Sequence, residues 1–511
     1  MTSTLQAAKK TVKELLEAGV QITPGALKIL LTLNSDLASS VISRVKQMTG
    51  TLVLTEDDVK KLITPTGKET APKTAKAEKI NKEPTPQPVS KPEPTLKPEP
   101  TVTAKDVDEE FEVLMDPTHI IGSGGTLDDF VSYFRDRFMR LSNLLLKRGD
   151  IKGACKTSEV GKSGRDVRII GIVKEISKTR NRSMVIELED DEGAVSVLVP
   201  SSLAEKVRNL MLDQVICVEG KSNGSYVVAD NVLWPDIPFD HTPRRAADPV
   251  IAVFISDTHF GSKKFMEKPF LRFLEWLQGK RGDEKSRALA RQVKYLVIGG
   301  DIVDGVGVYP DQEEELVVRE LYSQYKMAAK YLENVPDHVK IIAIPGGHDA
   351  TRQALPQPAI PKEYGEPLYE IGVEMLGDPA HFKIHGVEVL CFHGDSLNDV
   401  ITALSLDQHH PEKAMIELLR GRHLAPIYGS TPIAPEPLDL LVIERVPDIL
   451  HCGHIHVNGQ DVYRGVTVIN AGTFQEQTNY QKSMGLVPTP GKPYIINLKD
   501  FKITQLDFTG D

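Results

Sequence analysis

The sequence predicts a multidomain α/β protein with a helical module, a small β-barrel and a large α/β domain in that order. Three observations carry this. In the carboxyl-terminal half, five short apolar runs each stop at Asp or His, usually beside Gly. Upstream, residues 166–235 break into five further apolar runs, the length and spacing of a small barrel. Before them, the composition turns abruptly to Pro, Lys, Glu and Thr, which separates a head from the rest. At 511 residues the chain has room for about three domains.

Residues 1–64 carry helical periodicity. Leu5, Val12, Leu15 and Leu16 make one apolar stripe, and Ala26, Leu27, Ile29, Leu30 and Leu31 a second. Thr55 before Val59–Leu62 reads as the cap of a third helix. The module is either a docking unit or an accessory domain. Residues 65–105, with repeated Lys-Pro-Glu-Pro and no aromatics, cannot build a core and are expected to form a disordered, semi-rigid tether.

Residues 106–165 are expected to connect. FEVLM (111–115) reads as a short strand, and Thr126-Leu-Asp-Asp129 caps an amphipathic helix running through Arg148. Tyr133, Phe134, Phe138, Leu141 and Leu144 or Leu145 form its buried face, while Arg135, Arg137 and Arg140 read as a solvated one.

In residues 166–235 the expected order is three strands (167–173, 183–188, 194–199), a helix (202–212) and two strands (214–219, 225–232). That is the order of an oligonucleotide-binding fold. Such folds hold single strands by stacking bases on aromatics. Here only Tyr226 and Trp234 are candidates, with Lys174, Lys178, Arg180 and Arg182 for charge. This sparse surface favours an architectural or subunit-contact role over DNA contact.

The large domain spans 247–511. Val250–Ile255 runs into Asp257 and His259, and Tyr295–Ile298 into Gly299-Gly300-Asp301. Lys340–Ile344 runs into Gly346-Gly347-His348-Asp349, Val387–Phe392 into His393-Gly394-Asp395, and Asp448–Cys452 into Gly453-His454-Ile455-His456. One polar strand end is an ordinary turn; five of them put Asp and His on one rim, where open α/β sheets bind ligands. Mixed imidazole and carboxylate donors suit Mn, Zn or Fe better than Ca. Two intervening segments shape a cleft. Residues 352–369 are too Pro-rich for a helix. Residues 407–437 carry His409, His410 and His423, read as capping or solvated, and Arg420 and Arg422, read as phosphate contacts.

The net charge of -10 excludes a protein that coats nucleic acid by bulk attraction, though not a local groove. No apolar run reaches the ~18 residues of a membrane span, and the first segment lacks a signal-peptide core. Cys155, Cys217, Cys391 and Cys452 show no CxxC spacing. They are expected to be reduced thiols of a cytoplasmic protein rather than zinc ligands.

In order, Asp-x-His, Gly-Gly-Asp, Gly-x-His-Asp, His-Gly-Asp and Gly-His-Ile-His resemble the calcineurin-like metallophosphoesterase family. The resemblance implies a β-sandwich with flanking helices and two divalent metal ions, Mn with Mg as the alternative. It places Asp257, His259, Asp301 and His456 around the first ion. Asp301 bridges to the second, which also takes His393 and His454. His348 would assist the leaving group and Asp349 would orient it. The family carries Asn, a second-ion ligand, where this chain has Gly347, which implies a weakened second site. Gly300–Pro310, Arg422–Pro426 and Ala471–Gln481 further resemble the small-subunit family of archaeal D-family DNA polymerases. That likeness implies a proofreading 3′–5′ exonuclease acting on single-stranded 3′ ends, bound to a large polymerase subunit, with a sliding clamp as a further partner. The competing readings are a non-catalytic scaffold subunit and a free-standing nuclease or phosphatase.

Overall fold

The computed structural model describes residues 103–161, 166–179 and 183–510, with the backbone of two short strands nearer the start. Those strands, β1 (Gln21–Ile22) and β2 (Val53–Leu54), pair in parallel. They belong to a separate unit, Met1–Thr95. The helices expected in 1–64, residues 65–102 of the expected tether, and Arg180 and Arg182 lie outside the described residues. The tether's last residues, 103–105, are instead ordered: Ala104 is buried and its amide donates to the Arg291 carbonyl at 2.8 Å.

Within the second unit, β3 (Phe111–Met115) precedes α1 (Leu127–Leu146). The Thr126 hydroxyl accepts from the Asp129 amide and the Asp129 carboxylate from the Thr126 amide, closing the capping box. Tyr133, Arg137, Leu141 and Leu145, four residues apart, are the buried stripe. Arg137, expected in solvent, is therefore buried. Its Nε donates to Asp439 at 2.7 Å and its Nη1 to the Pro426 carbonyl at 3.1 Å. A counter-charge some 300 residues away is invisible to local periodicity.

Strands β4 (Asp166–Lys178), β5 (Met184–Glu189), β6 (Ala194–Val199), β7 (Val215–Ser222) and β8 (Val227–Leu233) close a barrel in the order β4-β5-β6-β8-β7. Along β5, Met184, Ile186 and Leu188 alternate inward, as a strand with one buried face must. The helix expected at 202–212 is instead a 3₁₀ turn, Ser201–Leu203, and further turns. Its apolar residues serve two cores, Val207 and Leu210 the barrel and Met211 the large domain. One helical face cannot serve both. Trp234 is buried, with its indole N–H on Gln214, so it is no stacking platform; Tyr226 remains exposed.

The large domain begins with β9 (Ile251–Ile255), α2 (Glu267–Leu277), α3 (Glu284–Ala290), β10 (Val293–Gly299), α4 (Leu321–Leu332) and β11 (Lys340–Ile344). There follow α5 (Lys362–Glu370), β12 (Glu374–Met375), β13 (Ala380–Ile384), β14 (Val387–Cys391), α6 (Leu397–Leu404), α7 (Pro411–Gly421) and β15 (Ile449–Cys452). The chain ends with β16 (Gly459–Tyr463), β17 (Val466–Asn470), α8 (Asn479–Ser483), β18 (Tyr494–Asn497) and β19 (Ile503–Gln505). One sheet runs β12-β11-β10-β9-β18-β19 and the other β16-β17-β15-β14-β13-β3. The five expected apolar strands are β9, β10, β11, β14 and β15.

Phe254, Val297 and Ile344 from one sheet share a core with Phe382, Val389 and Ile449 from the other, so the sheets pack face to face. Outside, Phe270, Phe273 and Trp276 of α2 cover the first sheet, and Leu397, Met415 and Leu418 of α6 and α7 the second. The helix α5 corrects the expectation for 352–369. It forms despite Pro367 because Leu368 is fully buried in the first outer core, which offsets a lost backbone bond.

Candidate metal centre

Each candidate residue stands directly after a strand. Asp257 and His259 follow β9, Asp301 follows β10, His348 follows β11, His393 follows β14, and His454 and His456 follow β15. Parallel pairing of β9, β10 and β11, and of β14 and β15, delivers the carboxyl ends of each set together. Beyond the strands the ladder continues: the Asp257 amide donates to Gly300 and the His259 amide to Asp301, both at 3.0 Å. Asp257, His259, Asp301, His454 and His456 all hold left-handed backbone, with φ of 52°, 48°, 49°, 66° and 60°. Non-glycine residues rarely adopt this, and its clustering marks a functional site. Gly346 is required by close approach. A Cβ there would lie 2.6 Å from the Asp301 amide and 2.7 Å from His393 Cε1.

The side chains converge. His456 Nε2 lies 3.2 Å from Asp257 Oδ1 and 3.1 Å from His259 Nε2. Asp301 Oδ2 sits 3.7 Å from His259 Nε2 and 3.4 Å from His393 Nε2, a single oxygen between two imidazoles. Asp257, His259 and His456 form one set able to hold a metal ion, Asp257, Asp301 and His393 a second, and His393, Asp395 and His454 a third. The opposite ring nitrogens face other groups: His393 Nδ1 bonds the Gly299 carbonyl (2.8 Å), His456 Nδ1 bonds Gln481 (2.8 Å), and His259 Nδ1 lies 3.1 Å from Asp304 Oδ1. Such outer partners turn Nε2 inward, as metal-binding histidines require. Asp304 and Gln481 escaped the sequence reading. The signals were there, in Asp301-x-x-Asp304 and in the capping box Thr478-x-x-Gln481 of α8.

Asp257 Oδ1, His393 Nε2 and Asp395 Oδ2 are buried without a hydrogen-bond partner. Unpaired buried polar atoms are costly, and lone pairs converging on one space are what a divalent cation satisfies. The residues fit a metal ion. Burial would raise the Asp301 carboxyl, but His393 and His348 hold it well below the usual range. Burial would lower His393, yet Asp301 holds it well above the ordinary value. Asp301 likewise raises His348 against burial, whereas burial lowers His259 and His454.

His348 is half-buried at the edge of this cluster, its Nδ1 2.7 Å from the Asp304 carbonyl. The Asp349 carboxylate, expected to orient it, makes no hydrogen bond to it among the described residues. The Asp349 carboxylate accepts from the amides of Ile302, Val303 and Gly346 and from the Tyr325 hydroxyl, which ties the loops after β10 and β11 together. Arg420 and Arg422 are also corrected. Arg422 is buried and spends its donors on the carbonyls of Asp236, Ile443 and Glu444. Arg420 pairs with Glu417 at 2.9 Å and lies over Tyr463. Both hold the barrel side of the molecule rather than the cluster. His423, read as capping or solvated, is buried against Asp439.

A family profile for the B-subunits of DNA polymerases alpha and epsilon matches residues 252–458. The DNA polymerase II small subunit of Methanothermobacter thermautotrophicus is 42% identical over 78% of this chain and 83% of that protein. That of Archaeoglobus fulgidus is 45% identical over 74% of this chain and 77% of its own length. That of Pyrococcus abyssi is 36% identical over 80% and 70%.

Proposed function

The chain belongs to the small-subunit family of archaeal D-family DNA polymerases, and from that premise we propose that it is the complex's metal-dependent 3′–5′ exonuclease. The observation that carries this reading is the convergence of orphaned carboxylate and imidazole atoms at the ends of two packed sheets. Asp257, His259 and His456 would hold one ion, His393 and His454 the other, and Asp301 both. Two divalent ions, Mn or Mg, would activate a water and neutralise charge building on the phosphate oxygens.

The chain's own groups supply the rest. Asp304 and the Gly299 carbonyl stand on the Nδ1 side of two imidazoles, which would leave Nε2 to hold the ions. With Nδ1–H on the Asp304 carbonyl, His348 has Nε2 free for the leaving group. As the water oxygen bonds to phosphorus, giving up its proton to solvent, and the P–O3′ bond breaks, a His348 imidazolium, favoured by nearby Asp301, would give its Nε2 proton to the 3′ oxygen, releasing a nucleoside 5′-monophosphate. The fold reading that goes with this is a metallophosphoesterase sandwich behind an oligonucleotide-binding barrel. The polymerase partner is the large subunit of the same complex.

The test is shortening of 3′- and 5′-labelled single-stranded oligonucleotides with Mn, Mg or chelator, beside Asp301→Ala. Mn-dependent loss from the 3′ end, absent in the variant, is the expected result. No shortening even with the large subunit present would leave a scaffold role.

A further inference from the structure

We infer that Asp395 is a ligand of the second ion, in the position that Gly347 leaves bare. This rests on the two-ion reading above. Asp395, His393 and His454 offer ligand atoms that all lie within 4.8 Å of one another. Asp395 Oδ2 is buried without a hydrogen-bond partner, and so is His393 Nε2. Among the described residues no Lys or Arg pairs with Asp395. A buried carboxylate oxygen with no hydrogen-bond donor is costly unless a cation completes it.

A second observation comes from the opposite wall. A Cβ built on Gly347 would meet a single side-chain atom, Asp395 Oδ1, at 3.4 Å. The carboxylate therefore faces the open side of Gly347. Gly347 is not in left-handed backbone, so the chain does not demand glycine there. The glycine leaves room, and the acid occupies it.

The exchange has a chemical consequence. A side-chain amide reaching in from position 347 would be neutral, whereas Asp395 adds a negative charge to a site that already shares Asp301. Two carboxylates with two imidazoles make a hard, anionic donor set that suits Mn.

The experiment is a Mn titration of the full chain, with free Mn read by electron paramagnetic resonance. The wild type is expected to bind two ions. Asp395→Ala should keep the first and bind the second about tenfold more weakly or worse, since even outer-shell losses cost about 10–100-fold. Adding Gly347→Asn to Asp395→Ala should restore the second ion. Should the alanine variant misfold, Asp395→Leu keeps the shape without a donor atom. Unchanged second-ion affinity in either folded variant overturns the assignment and leaves the two-ion reading standing. A single ion in the wild type overturns that reading itself.

Discussion

The backbone N–H of His348 donates to Asp301 Oδ1 at 2.8 Å, so the loop carrying the proposed acid hangs on the carboxylate proposed to bridge the ions. The other oxygen of Asp301 faces His259 and His393. One side chain thus links the proposed ligand set to the proposed leaving-group acid, although the two residues stand on different loops.

Asp301→Ala should therefore remove two things together. Hydrolysis should fall by at least about a hundredfold, and the amides of residues 346–349 should exchange faster by hydrogen–deuterium mass spectrometry. Unaltered exchange in that loop would mean that the 2.8 Å bond contributes nothing to its order.

His348→Ala should separate acid from ligand. Turnover is expected to drop by about 10²–10⁴-fold while Mn content stays that of the wild type. Loss of an ion along with activity would make His348 a ligand instead.

Asp349→Ala tests a brace. Three amides and the Tyr325 hydroxyl lose their acceptor in the interior. The expected cost is about 3 kcal/mol or more in urea unfolding. A loss of activity with no loss of stability would return Asp349 to the role of orienting His348.

A pH dependence should come from the buried trio Arg137, Asp439 and His423. The Ala425 amide donates to His423 Nδ1 at 3.0 Å, so Nε2 carries the proton and donates to Asp439 at 2.8 Å. Burial, with Arg137 close by, pushes the His423 pKa down to about 4, against about 6.5 unfolded. A depressed folded value means that the unfolded chain takes up the proton first as pH falls. The contribution is complete above about pH 6.5, and about 2 kcal/mol of it is lost by about pH 5. Wild type should thus lose about that much more stability than His423→Gln between about pH 7.5 and about pH 5, read from urea midpoints. Equal losses would place the titration elsewhere.

Metal removal should show in folding as well. At a hundredfold excess over Kd, each ion that binds only the folded chain adds about 2.7 kcal/mol. A chelator should lower the unfolding temperature of the wild type and leave Asp301→Ala unmoved. A chelator shift of equal size in both would point to ions bound elsewhere.

The sequence by itself determined the strands and what stands at their ends. Apolar runs stopping at Gly-flanked Asp and His are local patterns, and β9, β10, β11, β14 and β15 form where those runs lie because burial and backbone pairing act along a few residues. The capping box of α1 was legible for the same reason, being written in Thr126 and Asp129 alone. Only the tertiary structure decided which distant groups meet. Packing of the two sheets brings His393 and His454 of one to Asp257 and Asp301 of the other, separations of 92 residues or more that no period encodes. It buried Arg137 and Arg422 because Asp439 and loop carbonyls wait for them, turned Asp349 into a brace, and set Asp395 against the bare face of Gly347. A side chain's residue type bounds its chemistry, and its partners, chosen by the fold, select which part of that chemistry is used.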